Sequence, residues 1–123
     1  MTMKNLLMFY ILLFAYSTYA SSWVEIDHSK DGVFVDLESI EKSTNFLFYS
    51  SLENMTSMGL NSVVVRTKAN CATRKVIESV ASYYGQPMGK GDLIEEETLR
   101  DIGSLDPESK SFAIMKFACS YRK

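Results

Sequence analysis

Short runs of alternating apolar and polar residues fill most of the chain, and an unbroken apolar run fills its start. The alternation is most regular before the first cysteine. Val63, Val65, Thr67, Ala69 and Cys71 take one side at a period of two, and Val64, Arg66, Lys68 and Asn70 take the other. This predicts a strand over residues 61–70, with Cys71 directed to the core and Arg66 and Lys68 directed outward. Shorter runs predict strands over residues 23–27, 33–37 and 45–52. The first two should pair as a hairpin, because Lys30-Asp31-Gly32 between them is short and glycine-bearing. Residues 37–42 read as a single helical turn, and residues 53–60 as a polar loop.

The second half is less uniform. Val76, Ile77, Val80, Tyr83 and Tyr84 suggest a fifth strand over residues 75–84, although residues 74–84 can also be drawn as a helix. Thr73 and Arg74 follow Cys71 too closely for a crossover, so a tight antiparallel return fits. Gly85, Pro87, Gly89 and Gly91 form a turn-rich segment, and Gly89-Lys90-Gly91 lacks the strand, helix and Lys-Ser/Thr ending of a phosphate loop. Residues 92–102 suit either a helix opened by Asp92 and Glu95 and stopped by Gly103, or a sixth strand; Glu95, Glu96 and Glu97 read as solvated surface. Near the end, Asp106 reads as an N-cap, Pro107 as the first helical residue and Glu108 as a carboxylate at the positive end of the helix dipole. On that helix Ser109, Lys116, Ser120 and Lys123 share one face and Ile114, Met115 and Ala118 the other, with Phe112, Cys119 and Tyr121 at its flanks. The expected fold is α+β: an antiparallel sheet of five or six strands, one face covered by a C-terminal helix.

The apolar run at the start changes the meaning of the composition. Lys4, the run from Leu6 to Tyr16, and the small residues Thr18 and Ala20 follow the order of a secretory signal peptide over residues 1–20. The run is shorter than the roughly 20 residues that span a bilayer, so no integral span is expected after cleavage. A single domain over residues 21–123 would remain, exported to the periplasm, the medium or the cell surface. The 123 residues carry 13 Lys and Arg against 15 Asp and Glu, a formal charge of -2. That balance excludes a polybasic nucleic-acid arm, and removing Lys4 makes the remainder more acidic still.

The two cysteines, Cys71 and Cys119, admit one intramolecular pairing, and export favours their oxidation. Such a bridge would constrain the unfolded chain by roughly 4 kcal/mol in the loop-entropy account. Two free buried thiols and a metal pair are the competing readings; the latter is weak because His28 is the sole histidine and no CxxC spacing exists. No cofactor or metal site is expected.

Candidate chemistry is sparse. His28 reads as a solvated loop residue, Trp23 as a core or sheet-edge anchor, Asp36 as a turn cap, and Tyr83 and Tyr84 as packing residues. No acid, base and nucleophile come together, so an enzyme is disfavoured. The local concentration of charge is Arg66, Lys68, Arg74 and Lys75. If the fourth and fifth strands pair, these cations could form an outward patch suited to acidic protein segments or sulfated polymers. An ordinary solvated strand face is the competing reading.

Several of these features in this order resemble a known family. Trp23, then Gly32-Val33-Phe34-Val35-Asp36-Leu37-Glu38-Ser39-Ile40, Cys71 at a strand end followed by Arg74, Tyr84-Gly85-Gln86-Pro87-Met88-Gly89, and a Pro107-Glu108-Ser109 helix ending in Cys119 are similar to the surface-adhesin protein E family of bacterial exported proteins. The resemblance implies an antiparallel sheet with its C-terminal helix held by a disulfide, and an envelope or cell-surface setting. The best-known member of that family is a homodimeric lipoprotein adhesin for host matrix and serum proteins such as vitronectin and laminin, and a homodimer and a protein partner are the corresponding expectations here. This chain has no cysteine near Ala20 to carry a lipid anchor. The expected function is an exported envelope module that binds a protein partner; the alternative is a periplasmic accessory protein acting through self-association.

Overall fold

Six stretches rich in β-branched and aromatic residues follow one another, and each pairs with the next. The computed structural model describes residues 22–27, 32–57 and 59–122. Strands β1 (Trp23–Asp27), β2 (Val33–Lys42), β3 (Leu47–Ser57), β4 (Leu60–Asn70), β5 (Lys75–Tyr84) and β6 (Leu93–Ser104) precede helix α1 (Lys110–Ser120). They form one antiparallel sheet in the order β1-β2-β3-β4-β5-β6. The segment 1–20 read as a signal peptide, and His28, lie outside the described residues.

The structure corrects three local expectations and settles one that the sequence left open. Residues 37–42 continue β2 instead of making a helical turn. The Asp36 carboxylate accepts the Glu38 N–H at 3.1 Å and the Ser39 hydroxyl donates to the Asp36 carbonyl at 2.6 Å. These contacts sit within a bulged strand whose register with β3 shifts between Asp36 and Glu41. The expected loop over 53–60 is strand up to Ser57, because Glu53 and Asn54 still find ladder partners in Val63 and Ser62. Residues 92–102 resolve as strand β6, paired along β5. Last, the cap of α1 is Ser109, whose hydroxyl accepts the Phe112 N–H at 3.1 Å. Asp106 instead caps the turn before the helix, accepting the Glu108 N–H at 3.0 Å.

The alternation sorts residues onto two faces. On the helix face, Val35, Ile40, Leu47, Tyr49, Ala69 and Val76 form a buried cluster with Met115 and Ala118 of α1. Burying such side chains stabilises by roughly 1.5–3 kcal/mol for each large one. Helix α1 is held at both ends. Cys71, just beyond β4, is disulfide-bonded to Cys119 with Cα atoms 5.8 Å apart, and Lys110 in the first turn lies 2.8 Å from the Glu53 carboxylate on β3. The ion pair is half-exposed and contributes at most about 1 kcal/mol, so the bridge is the stronger tether.

Tyr49 is 4% exposed. Burial pushes its hydroxyl up from 10.0 to about 12, partly offset by a hydrogen bond with Thr67.

Two outcomes follow from this packing. Cys119→Ser should lower stability by roughly 2–5 kcal/mol and make α1 sensitive to protease; an unchanged melting temperature would mean that the helix docks without its tether. For Tyr49, the unfolded chain ionises near pH 10 while the folded chain stays neutral to about pH 12. Its contribution is therefore complete below about pH 10 and falls as pH rises through the folded value. Denaturant midpoints for the parent and Tyr49→Phe should converge on alkaline titration, and parallel curves would exclude this role.

Candidate functional site

The face away from the helix carries the charged residues singled out in the sequence. Arg66 and Lys68 stand opposite Ser50 and Phe48 of β3, and opposite Val80 and Glu78 of β5. Arg66 is exposed, whereas Lys68 is half-buried. The Lys68 Nζ sits 4.4 Å from the Phe46 ring centroid and 5.8 Å from that of Phe48. Attraction to the ring faces fixes the ammonium there, at roughly 0.5–1 kcal/mol for an exposed contact. Glu41, Phe48, Ser50, Arg66, Lys68 and Glu78 border an open concavity of about 490 Å³. Glu78 also pairs with Arg100 of β6 at 3.4 Å. The surface is therefore mixed in sign, with two cations among carboxylates.

The other two cations are placed differently. Arg74 adopts a positive φ of 56° in the turn between β4 and β5, which aims its guanidinium at the helix side, 5.8 Å from the Phe112 ring. Lys75 is exposed at the start of β5, opposite Asn70. Arg66 and Lys68 share a concavity; Arg74 does not belong to it.

Another part of this face, over β3 and β4, is covered by the turn after β5. Its residues Pro87–Gly89 fold back over β3 and β4. The Ser62 hydroxyl, fully buried, donates to the Gln86 carbonyl at 2.6 Å and accepts the Gly89 N–H at 2.9 Å. The Asn54 carbonyl accepts the Met88 N–H at 2.7 Å, and the Asn54 amide contacts the Met88 sulfur at 3.3 Å. Gly89 has φ +68° and lies so close to the sheet that an added Cβ would sit 3.0 Å from Val64 Cγ2. The turn thus seals Leu52 and Val64 and leaves Arg66 and Lys68 open. Asn54, in the sequence Asn54-Met55-Thr56, is thereby committed to the turn.

Sequence reasoning missed Phe46, Phe48 and Glu78 as neighbours of Lys68. The relevant signal was the β3–β4 register, which places Phe48 beside Lys68 once Leu47 is aligned with Ala69. Among the described residues, no group of three or more His, Cys, Asp or Glu could hold a metal ion, and no helix is long and apolar enough to cross a membrane.

A six-stranded antiparallel meander with one C-terminal helix, disulfide-linked to the end of β4, defines a small α+β protein. The sequence profile of the family described as surface-adhesin protein E matches residues 23–120, and the chain belongs to that family. Among solved structures, crystal form II of Haemophilus influenzae protein E is similar, with a TM-score of 0.59 and 16% identity over 82% of this chain and 89% of that one. A second structure of Haemophilus influenzae protein E gives a TM-score of 0.57 at 16% identity, covering 82% of this chain and 86% of that one. At such identity the likeness shows the shared fold. Among curated proteins none matches this chain in sequence.

Ser62→Ala should destabilise by roughly 1–3 kcal/mol, because it removes one buried hydroxyl that serves both a carbonyl and an N–H of the covering turn. Hydrogen exchange at Gly89 should accelerate in parallel. Protection unchanged from the parent would show that the turn is held by other contacts.

Proposed function

We propose that this protein is an exported bacterial envelope module that binds a protein partner, with adhesion to host or matrix proteins as its role. Membership of the surface-adhesin protein E family carries the reading. The signal-peptide order of residues 1–20 supports export, and the solvent-facing Arg66 and Lys68 supply a place to hold an acidic segment. Lys68 is the more specific contact, since its ammonium is already positioned by Phe46 and Phe48 and loses little freedom on binding. Arg74 and Lys75 contribute at most to the long-range field.

Association with immobilised matrix proteins should weaken as salt rises. The double variant Arg66→Glu/Lys68→Glu should bind at least tenfold more weakly while keeping the parent's melting temperature. Unchanged binding in that variant removes the sheet-face cations from the function. Surface-protease accessibility on intact cells reads display, and sedimentation of the same preparation reads the homodimer.

A further inference from the structure

The last strand is the most exposed element of the sheet. Every residue of β6 is exposed except Gly103. Leu93, Ile94 and Leu99 are 52%, 53% and 50% exposed, an uncommon state for three large apolar side chains on one strand. Among the described residues no strand pairs with the far edge of β6, so its backbone N–H and carbonyl groups there have no ladder. The edge is interrupted by register shifts near Ile94 and near Asp101, which has a positive φ of 53°. Between them residues 95–100 run in unbroken register with β5, long enough to template another strand.

The side chains of this stretch select what can add to it. Leu99 and Ile102 project to the helix face, where with Val63, Val65, Leu105 and Ile114 they line an apolar groove of about 250 Å³. Glu95 and Glu97 fall on the same face by alternation, and Glu96 on the other, where it accepts a hydrogen bond from Ser82 at 2.9 Å. The sole cation of residues 95–100, Arg100, is paired with Glu78. A second copy adding antiparallel through its own residues 95–100 would crowd the six glutamates of two copies into one joint, against two arginines already paired with Glu78. Adding through β1, the opposite edge, would bring Glu25 and no cation from its five residues. Like charges on adjacent strands are destabilising. A cationic strand meets neither obstacle.

We propose that the edge of β6 accepts an extended, cationic segment of another protein by strand addition. In the antiparallel sense its pattern is an apolar residue opposite Leu99, any residue opposite Thr98, then three Lys or Arg opposite Glu97, Glu96 and Glu95. The backbone ladder supplies affinity and the alternating side chains supply selectivity. The apolar residue extends the groove wall formed by Leu99 and Ile102, and each cation faces a carboxylate across the strands. This surface is separate from the Arg66 and Lys68 concavity and prefers a partner of opposite charge, so the two can fail independently.

The test is anisotropy titration of the full domain with a labelled peptide, Thr-Val-Thr-Lys-Lys-Lys-Val, and with the same peptide N-methylated at alternate residues. The parent should bind the first and lose at least tenfold with the second, whose charge is the same but whose ladder donors are blocked. The triple variants Glu95→Lys/Glu96→Lys/Glu97→Lys and Glu95→Gln/Glu96→Gln/Glu97→Gln should each lose at least tenfold, and Arg66→Glu/Lys68→Glu should not. Equal binding of both peptides would reduce the effect to charge alone and overturn strand addition. So would full binding by the glutamine variant, no binding by the parent, or a homodimer in which hydrogen exchange shows residues 95–100 protected.

Discussion

The place of the helix on the sheet is anchored at Cys119 in its last turn, which is covalently joined to Cys71 just beyond β4. Eleven residues make a helix roughly 16 Å long, whereas six strands at their usual spacing spread over roughly 24 Å. One helix cannot cover such a face. Running from the bridge toward the Lys110–Glu53 pair, α1 crosses β2 and β3, where Ile40, Leu47, Tyr49, Met115 and Ala118 are buried together. The helix-side residues of β6 remain in water as a consequence. The same tether that completes the core also produces the apolar groove beside it.

The opposite face is managed by different means. No second helix exists among the described residues to shield it, so the turn after β5 folds back and is held by Ser62 and Asn54. Polar side chains from strand positions do here what an apolar layer does on the other side. They satisfy the backbone of a turn pressed against the sheet, and Gly89 permits the close approach. Beyond the turn the face is left to Phe46, Phe48, Arg66, Lys68 and Glu78, which are mixed in charge and present an ammonium held over aromatic rings. The proposed binding surfaces are the parts of the sheet that neither cover reaches.

Much of this was legible from residue order, and the errors have physical causes. The strand before Cys71 was clear because half-buried strands alternate at a period of two, and that alternation also set the direction of Cys71. Residues 37–42 misled because Asp36 and Ser39 make turn-like hydrogen bonds inside a bulge, where local chemistry and sheet pairing coexist. The cap of α1 misled because Asp106 and Ser109 are both good caps three residues apart, and each caps something: Asp106 a turn, Ser109 the helix. Residues 92–102 were ambiguous because β6 is exposed on both faces, so its apolar residues carry no burial pattern to read.

Residue order alone specifies what depends on neighbouring residues: the strand periods, the tight return after Cys71, the glycine turn and the amphipathic segment ending in Cys119. Tertiary structure decided which of those features meet. Arg66 and Arg74 are eight positions apart, yet they serve opposite sides of the sheet because a positive φ at Arg74 turns the chain toward Phe112. Lys68 and Phe48 are twenty positions apart and touch because β3 and β4 align. Register is set by the packing of whole strands against one another and against a tethered helix. No local pattern encodes that, and the candidate binding surfaces follow from it.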